Sequence, residues 1–272
     1  MTGTVVDNLL VVKIGGAEGV DLARCADDLA QIEARRPVIV VHGASAAADR
    51  LCRERGIPVR TLTSPGGHSA RYTDRATRDV FVEAAESVNR TLVDRLERGG
   101  VAALGMTGDR VPLWGERKTA IRAVIDGRVR IVRDDYSGIV ERVEVRRLLA
   151  LLHDGICPVI APIAASADGF LNVDGDRASA AVAGALGASE LVILSGVRGV
   201  YRHFPDENSF VNHVEQREVD QALDWAQGRM KRKVISAAEA LERGVPRVII
   251  ADGRAASPVT RALNGEGTEF TR

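Results

Sequence analysis

Six short apolar runs rich in Val and Ile recur along the chain, at Leu9–Ile14, Val38–Val41, Ala102–Met106, Pro158–Ala161, Leu191–Leu194 and Arg247–Ala251. They lack the polar alternation of a strand with one face in water, so they read as strands covered on both faces. Between them lie helical patterns at Val20–Arg35, Asp74–Arg98, Arg177–Leu186 and Gly228–Arg243. Strand and helix in alternation predict an α/β fold, a three-layer αβα sandwich around a doubly wound, mainly parallel sheet.

Arg117–Arg142 breaks this rhythm. Ala120–Ile125 and Arg128–Val132 flank Asp126-Gly127, the strongest short-range hairpin signal in the chain. It predicts a β-hairpin excursion from the core. No Pro/Ser linker or repeat marks a boundary, and a soft division near Pro162–Asp168 separates a lobe at 1–165, carrying the hairpin, from a lobe at 166–272. Two lobes around a cleft within one continuous unit suit a two-substrate enzyme.

A chain of 272 residues can bury a full core, and 45% hydrophobic with 27% charged residues is an ordinary globular composition. Lys+Arg and Asp+Glu are both 37, so the overall field favours neither nucleic acid nor an anionic membrane as partner. Cys25, Cys52 and Cys157 form no C-x-x-C pair and read as packing residues in a reducing compartment. With no signal peptide pattern and no spanning run, the expected location is the cytoplasm.

Several strands are followed at once by glycine, as at Gly15-Gly16, Gly43, Gly196 and Gly199. Glycine there makes a tight turn or lets backbone N–H groups approach a ligand beyond the strand ends; repetition along one sheet edge favours the ligand. Neither G-x-x-x-x-G-K-[ST] nor a G-x-G-x-x-G after the first strand is present, so an ATP site must be of another kind.

Four segments carry candidate chemistry. Lys13 ends a buried strand against Gly15-Gly16, where it either neutralises phosphate or snorkels. His42-Gly43-Ala44-Ser45 follows the second strand, and Gly66-Gly67 with Arg71 precede Thr73, a candidate N-cap of the long helix. Arg71 there either meets a carboxylate or is solvated, and His42 and His68 read as structural rather than catalytic. Asn172-Val173-Asp174-Gly175-Asp176 is an acidic cluster that lacks the EF-hand register of a calcium loop, and Asp176, opening the next helix, reads plainly as a helix cap. Gly228–Lys233 brings basic residues into a helix, as a solvated run or a phosphate clamp.

In this order the segments resemble the acetylglutamate kinase family of the amino acid kinase superfamily. The likeness is nearest to the branch acting on glutamate or 2-aminoadipate carried by a LysW-type amino-group carrier protein. It runs from Val11–Gly19 to Gly265–Thr268 and includes Ser64–Asp74, Glu116–Thr119, Asp135–Gly138 and Ala226–Lys233.

The resemblance implies ATP-dependent phosphorylation of a side-chain carboxylate, giving an acyl phosphate in amino-acid biosynthesis. Lys13 and Lys233 would contact the transferring phosphoryl group, Asp176 would orient both lysines, and Gly15, Gly16, Gly43 and Ala44 would surround the phosphate. Ser195, Gly196 and Gly199 would border the nucleotide. Arg71 and Asn172, with Gly66 and Gly67, would hold the acidic substrate. Mg2+ would be held through ATP, with no protein ligand. Two positions depart from the family pattern: Ala44 replaces a second glycine, adding a methyl beside the phosphate path, and Gly196 replaces an Asp or Asn near the nucleotide.

Arg117, Lys118, Arg122, Arg128 and Arg130 make the hairpin region locally basic, a surface for an acidic carrier or one whose charges guard its edges from aggregation. The chain begins almost at its first strand, without the N-terminal helix of arginine-inhibited hexamers, so a homodimer is expected. The competing readings are a kinase for free N-acetylglutamate and a non-catalytic sensor that kept the fold.

Overall fold

The computed structural model describes residues 6–17, 19–67 and 69–272. All six predicted strands form, as β1 (Leu10–Ile14), β2 (Val38–His42), β3 (Ala103–Met106), β4 (Cys157–Ile160), β5 (Glu190–Ser195) and β7 (Arg247–Asp252). Two further strands, β6 (His213–Glu215) and β8 (Thr268–Thr271), complete an eight-stranded sheet of order β6-β8-β7-β5-β1-β2-β4-β3. The run from β7 to β3 is parallel; β8 is antiparallel to β7, and β6 is parallel to β8.

The α-helices among the described residues are α1 (Leu22–Glu33), α2 (Ser45–Glu54), α3 (Arg75–Arg98), α4 (Val145–His153), α5 (Gly175–Leu186), α6 (Val219–Trp225), α7 (Gly228–Glu242) and α8 (Pro258–Leu263). Strand residues alternate between two apolar clusters. Val11, Ile39 and Ile193 pack with Ala178 and Val182 of α5 and Val234 and Ala237 of α7. Val12, Val40 and Val192 face Cys25 and Leu29 of α1 and Val259 of α8. Helices therefore cover both faces, which is why the strands read as unbroken apolar runs. All three cysteines are free and buried. No helix among the described residues is long and apolar enough to cross a membrane.

Helix starts differ from the sequence expectation by a few residues, for a local reason. The long helix is capped by Asp74, whose carboxylate accepts from the Thr77 N–H at 2.9 Å, and not by Thr73. Thr73 is instead fully buried, its own N–H donating to Asp135 at 2.8 Å. Asp174 caps α5, accepting from the Asp176 and Arg177 N–H groups at 2.9 and 3.2 Å.

Four strands absent from the sequence reading, Leu113–Arg117, Ser137–Val143, Ile163–Ser166 and Gly169–Val173, close on one another beside the main sheet. The soft division at 165/166 falls inside the hairpin formed by the last two of them. The predicted hairpin forms as Ile121–Ile125 paired with Arg128–Val132. Asp126 at φ 51° and Gly127 at φ 72° make the left-handed pair that such a two-residue turn requires. A second hairpin, Thr61–Thr63 with Ser69–Arg71, carries Gly66 and Gly67 at its exposed tip. Glu18 and His68 lie outside the described residues.

Candidate active site

Lys13 sits near the end of β1, in register with Val41 and Ile193. It shares a strand face with Val11, the face packed by α5, so its side chain runs toward the first turn of that helix. There Nζ lies 2.7 Å from Asp176 Oδ1. α7 packs on α5, and Lys233, in its second turn, places Nζ 3.1 Å from Oδ1 and 3.0 Å from Oδ2 of the same carboxylate. Lys13, Asp176 and Lys233 are 6%, 8% and 8% exposed. Residues separated by 163 and 57 positions along the chain thus form one buried cluster, with two positive charges against one negative.

The electrostatics follow from this arrangement. Burial acts to raise the Asp176 pKa, but the Lys13 and Lys233 ammonium groups override it and hold the carboxyl below the usual range. Burial pulls the Lys233 ammonium below its ordinary value, opposed by Asp176 and reinforced by Lys13. The carboxylate is therefore ionised and pins both lysines, and each ammonium keeps donors beyond those used on Asp176. The cluster thus carries one more positive charge than Asp176 offsets.

The glycine loops border the same place. A Cβ on Gly16 would fall 2.3 Å from the Gly43 carbonyl carbon, and one on Gly43 would fall 2.4 Å from the Gly16 nitrogen. The loops after β1 and β2 are thus in backbone contact, held by Gly43 N–H to Ile14 O at 2.9 Å and Ala46 N–H to Gly16 O at 2.8 Å. A Cβ on Gly175 would lie 3.5 Å from Lys13 Cε, which puts the α5 start against the lysine stem. Ala44 precedes α2, which begins without a side-chain cap. Ala44 is buried within the same apolar cluster as Ala48 and Phe81, and its backbone nitrogen would lie 2.4 Å from a Cβ on Gly16.

At the end of β5, Ser195 is buried, and its carbonyl accepts from the Gly253 N–H at 2.7 Å. Gly196 opens to free space, whereas Gly199 has a packing reason, because a Cβ there would meet Thr268 Oγ1 at 2.4 Å.

The acid-binding candidates are linked through Thr73. Asn172 Nδ2 donates to Thr73 Oγ1 at 3.0 Å, and that hydroxyl donates to Arg71 O at 3.3 Å. Arg71 turns toward the loop after β2, donating from Nη2 to Ser45 O at 3.1 Å in the first turn of α2. Asp135, fully buried, supports this junction by accepting from Thr73 and Ser137 N–H groups at 2.8 and 2.7 Å. Neither Asp135 nor Asp49, which pairs with Arg71, was assigned a role from sequence, since a lone Asp in a loop or short helix carries no periodic signal.

The basic candidates divide. Arg122, Arg128 and Arg130 are exposed on the hairpin. Arg122 shares its face with the exposed Val124, Val129 and Ile131, while Arg128 and Arg130 lie on the face of buried Ala123. Arg117 instead stacks 4.9 Å from the Tyr136 ring centre, opposite Arg78 at 4.7 Å. Lys118 is lowered in pKa by burial and by Arg177, against the pull of Asp174, which associates it with the α5 start rather than the hairpin tip.

His42 is fully buried, with Nε2 3.1 Å from Asn89 Nδ2. Burial drives its pKa down to about 4, helped by Lys13 and opposed by the Gly43 carbonyl. The imidazole is neutral, as a structural histidine should be. Because the unfolded chain takes up a proton near pH 6.5 and the folded one does not, stability falls as pH drops from about 6.5 toward 4, by up to about 3 kcal/mol. Thermal unfolding between pH 7 and 4.5 should show a shallower loss in His42→Gln than in wild type; equal slopes would contradict the assignment.

Residues 8–252 match the amino acid kinase family. The chain belongs to that family. Over 265 residues it is 43% identical to the [LysW]-aminoadipate kinase of Deinococcus radiodurans, covering 96% of this chain and 91% of that protein. It is also 43% identical to the [LysW]-aminoadipate kinase of Thermus thermophilus, covering 96% and 99%. Among solved structures, N-acetylglutamate synthase from Neisseria gonorrhoeae superposes with a TM-score of 0.80 at 26% identity, covering 97% of this chain but 59% of the synthase. Giardia lamblia carbamate kinase bound to AMP-PNP, at 14% identity and TM-score 0.69 with 97% and 98% covered, shares the fold. The expected amino acid kinase fold is therefore the observed one.

Proposed function

We propose that this amino acid kinase transfers the γ-phosphoryl group of ATP to the side-chain carboxylate of 2-aminoadipate or glutamate joined through its amino group to a LysW-type carrier protein. The observation that carries the reading is the buried Lys13–Asp176–Lys233 cluster beside two glycine loops, in a chain 43% identical to enzymes named for carrier-linked aminoadipate.

The residues suit a nucleoside triphosphate with Mg2+. The cluster has an excess positive charge and spare ammonium donors, and the α2 start lacks a side-chain cap, leaving backbone N–H groups for an anion. ATP supplies the phosphoryl group, and Mg2+ held on its phosphates would offset their charge. The acceptor carboxylate, with a pKa of about 4.3, is already ionised at neutral pH, so no general base is needed. The chain has to align two anions and neutralise their charge. Lys13 and Lys233 provide the charge on the phosphoryl oxygens, Asp176 fixes both ammonium groups, and Arg71 with Asn172 holds the acid end.

A substrate tethered to a protein reaches the cleft from outside, so the carrier's body would rest on the rim. The exposed Arg122, Arg128 and Arg130 suit an acidic carrier there. Charge reversal at all three should lower kcat/KM for the carrier-linked acid roughly tenfold at low salt while barely changing that for a short N-acylated mimic. Wild-type kcat/KM for the carrier-linked acid should fall as ionic strength rises, and the variant's should be flatter. An equal response of both substrates would reject the hairpin as the docking rim.

A further inference from the structure

Arg71 has two contacts at its guanidinium. Nη2 donates to Ser45 O at 3.1 Å, and Nη1 lies 2.6 Å from Asp49 Oδ1, one turn further along α2. The Arg71 side chain is 12% exposed and that of Asp49 is 29% exposed. The Nη1 and Oδ1 atoms are themselves closed to solvent, and among the described residues neither has a directed hydrogen-bond partner. Close contact without direction means that the pair is held by charge while the Nη1 N–H bonds aim away from the carboxylate oxygen. Asp49 is therefore the charge partner of Nη1, and the two contacts together engage only part of the five-donor fork.

We infer that Asp49 is the positioning residue of the acid site: with Ser45 O it fixes the Arg71 fork against α2 so that directed N–H groups remain for a substrate carboxylate. This rests on the proposed role of Arg71 in holding the acidic substrate. The ligand class is a carboxylate beside the substituted nitrogen, because Arg71 is joined through Thr73 to Asn172. Asp49 also decides where the guanidinium sits relative to the phosphate. The hairpin Thr61–Arg71 is thereby tied to the helix that begins immediately after Gly43-Ala44, and the Ala46 N–H of that helix is already bonded to Gly16 O. Without the carboxylate, Arg71 keeps one anchor, to Ser45 O, and its long side chain regains rotamers that binding must remove.

The test is steady-state kinetics of Asp49→Asn, Asp49→Glu and Arg71→Lys, each varied against ATP and against N-acylated 2-aminoadipate, with thermal unfolding as control. Asp49→Asn should raise KM for the acid about tenfold, leaving kcat and KM for ATP within about twofold. Asp49→Glu, which keeps the charge, should recover most of that loss. In the double variant Asp49→Asn/Arg71→Lys the two effects should be clearly less than multiplicative, as expected of residues acting through one contact. If Asp49→Asn lowers kcat equally for all substrates, leaves KM for the acid unchanged, or fails to fold, the residue is only structural and the inference is overturned. If Arg71→Lys itself leaves KM for the acid unchanged, the reading of Arg71 fails instead.

Discussion

Replacing Lys13 or Lys233 by alanine is expected to lower kcat by roughly 10²–10³-fold while changing KM far less. Both ammonium groups are buried and already oriented by Asp176, so little reorganisation is needed when charge develops on the transferring group. If both act on the transferring group as proposed, their contribution arises in transfer more than in substrate binding, and the loss falls in kcat. The two variants should also be strongly non-additive, because either one leaves Asp176 with a single partner. Steady-state kinetics with unchanged kcat in either variant would remove that lysine from the reaction.

Asp176→Asn should cost both activity and stability. Capping cannot be the reason, since Asp174 and not Asp176 receives the N–H groups at the α5 start. What is lost is the one negative charge between two buried ammonium groups. Removing a partner from a buried ionic cluster typically costs about 3–5 kcal/mol. Because the Asp176 pKa is lowered on folding, its stabilisation is present above the unfolded carboxyl value of about 3.9 and declines as pH falls below it. Denaturant unfolding at pH 7 should therefore show a large loss for Asp176→Asn, with a partial recovery at high phosphate, where an anion can enter the cluster. A variant as stable as wild type and fully active would mean that the cluster is only decorative.

The parts of the molecule legible in the sequence are those with a local signal. Strands buried on both faces announce themselves as Val/Ile runs, and the Asp126-Gly127 turn requires two left-handed residues that few dipeptides supply. The strands Leu113–Arg117, Ser137–Val143, Ile163–Ser166 and Gly169–Val173 were not legible, because their faces are mixed and, apart from the hairpin of the last two, their pairing joins segments far apart in the chain. Helix α2 is short and rich in alanine, and its buried face carries only Ala48 and Cys52, with no large apolar residue to mark it.

The same division holds at the site. Lys13, Asp176 and Lys233 were each ambiguous alone, and only the packing of β1, α5 and α7 turns three separate residues into one cluster. From sequence the helix cap falls to Asp176, whereas the Asp176 and Arg177 N–H groups donate to Asp174. Asp49 and Asp135 had no local signature, because their significance lies in the side chain or N–H that each meets across the fold.

The most direct test of the proposed activity is ATP-dependent formation of an acyl phosphate, trapped with hydroxylamine as the hydroxamate and measured in parallel on three acceptors. These are the carrier protein bearing 2-aminoadipate, the carrier bearing glutamate, and free N-acetylglutamate. The predicted result is hydroxamate on one or both carrier-linked acids, with kcat/KM far above that for N-acetylglutamate and loss of product in Lys233→Ala. Equal or preferred use of free N-acetylglutamate would contradict the carrier-linked substrate, and no hydroxamate on any of the three would contradict the kinase itself.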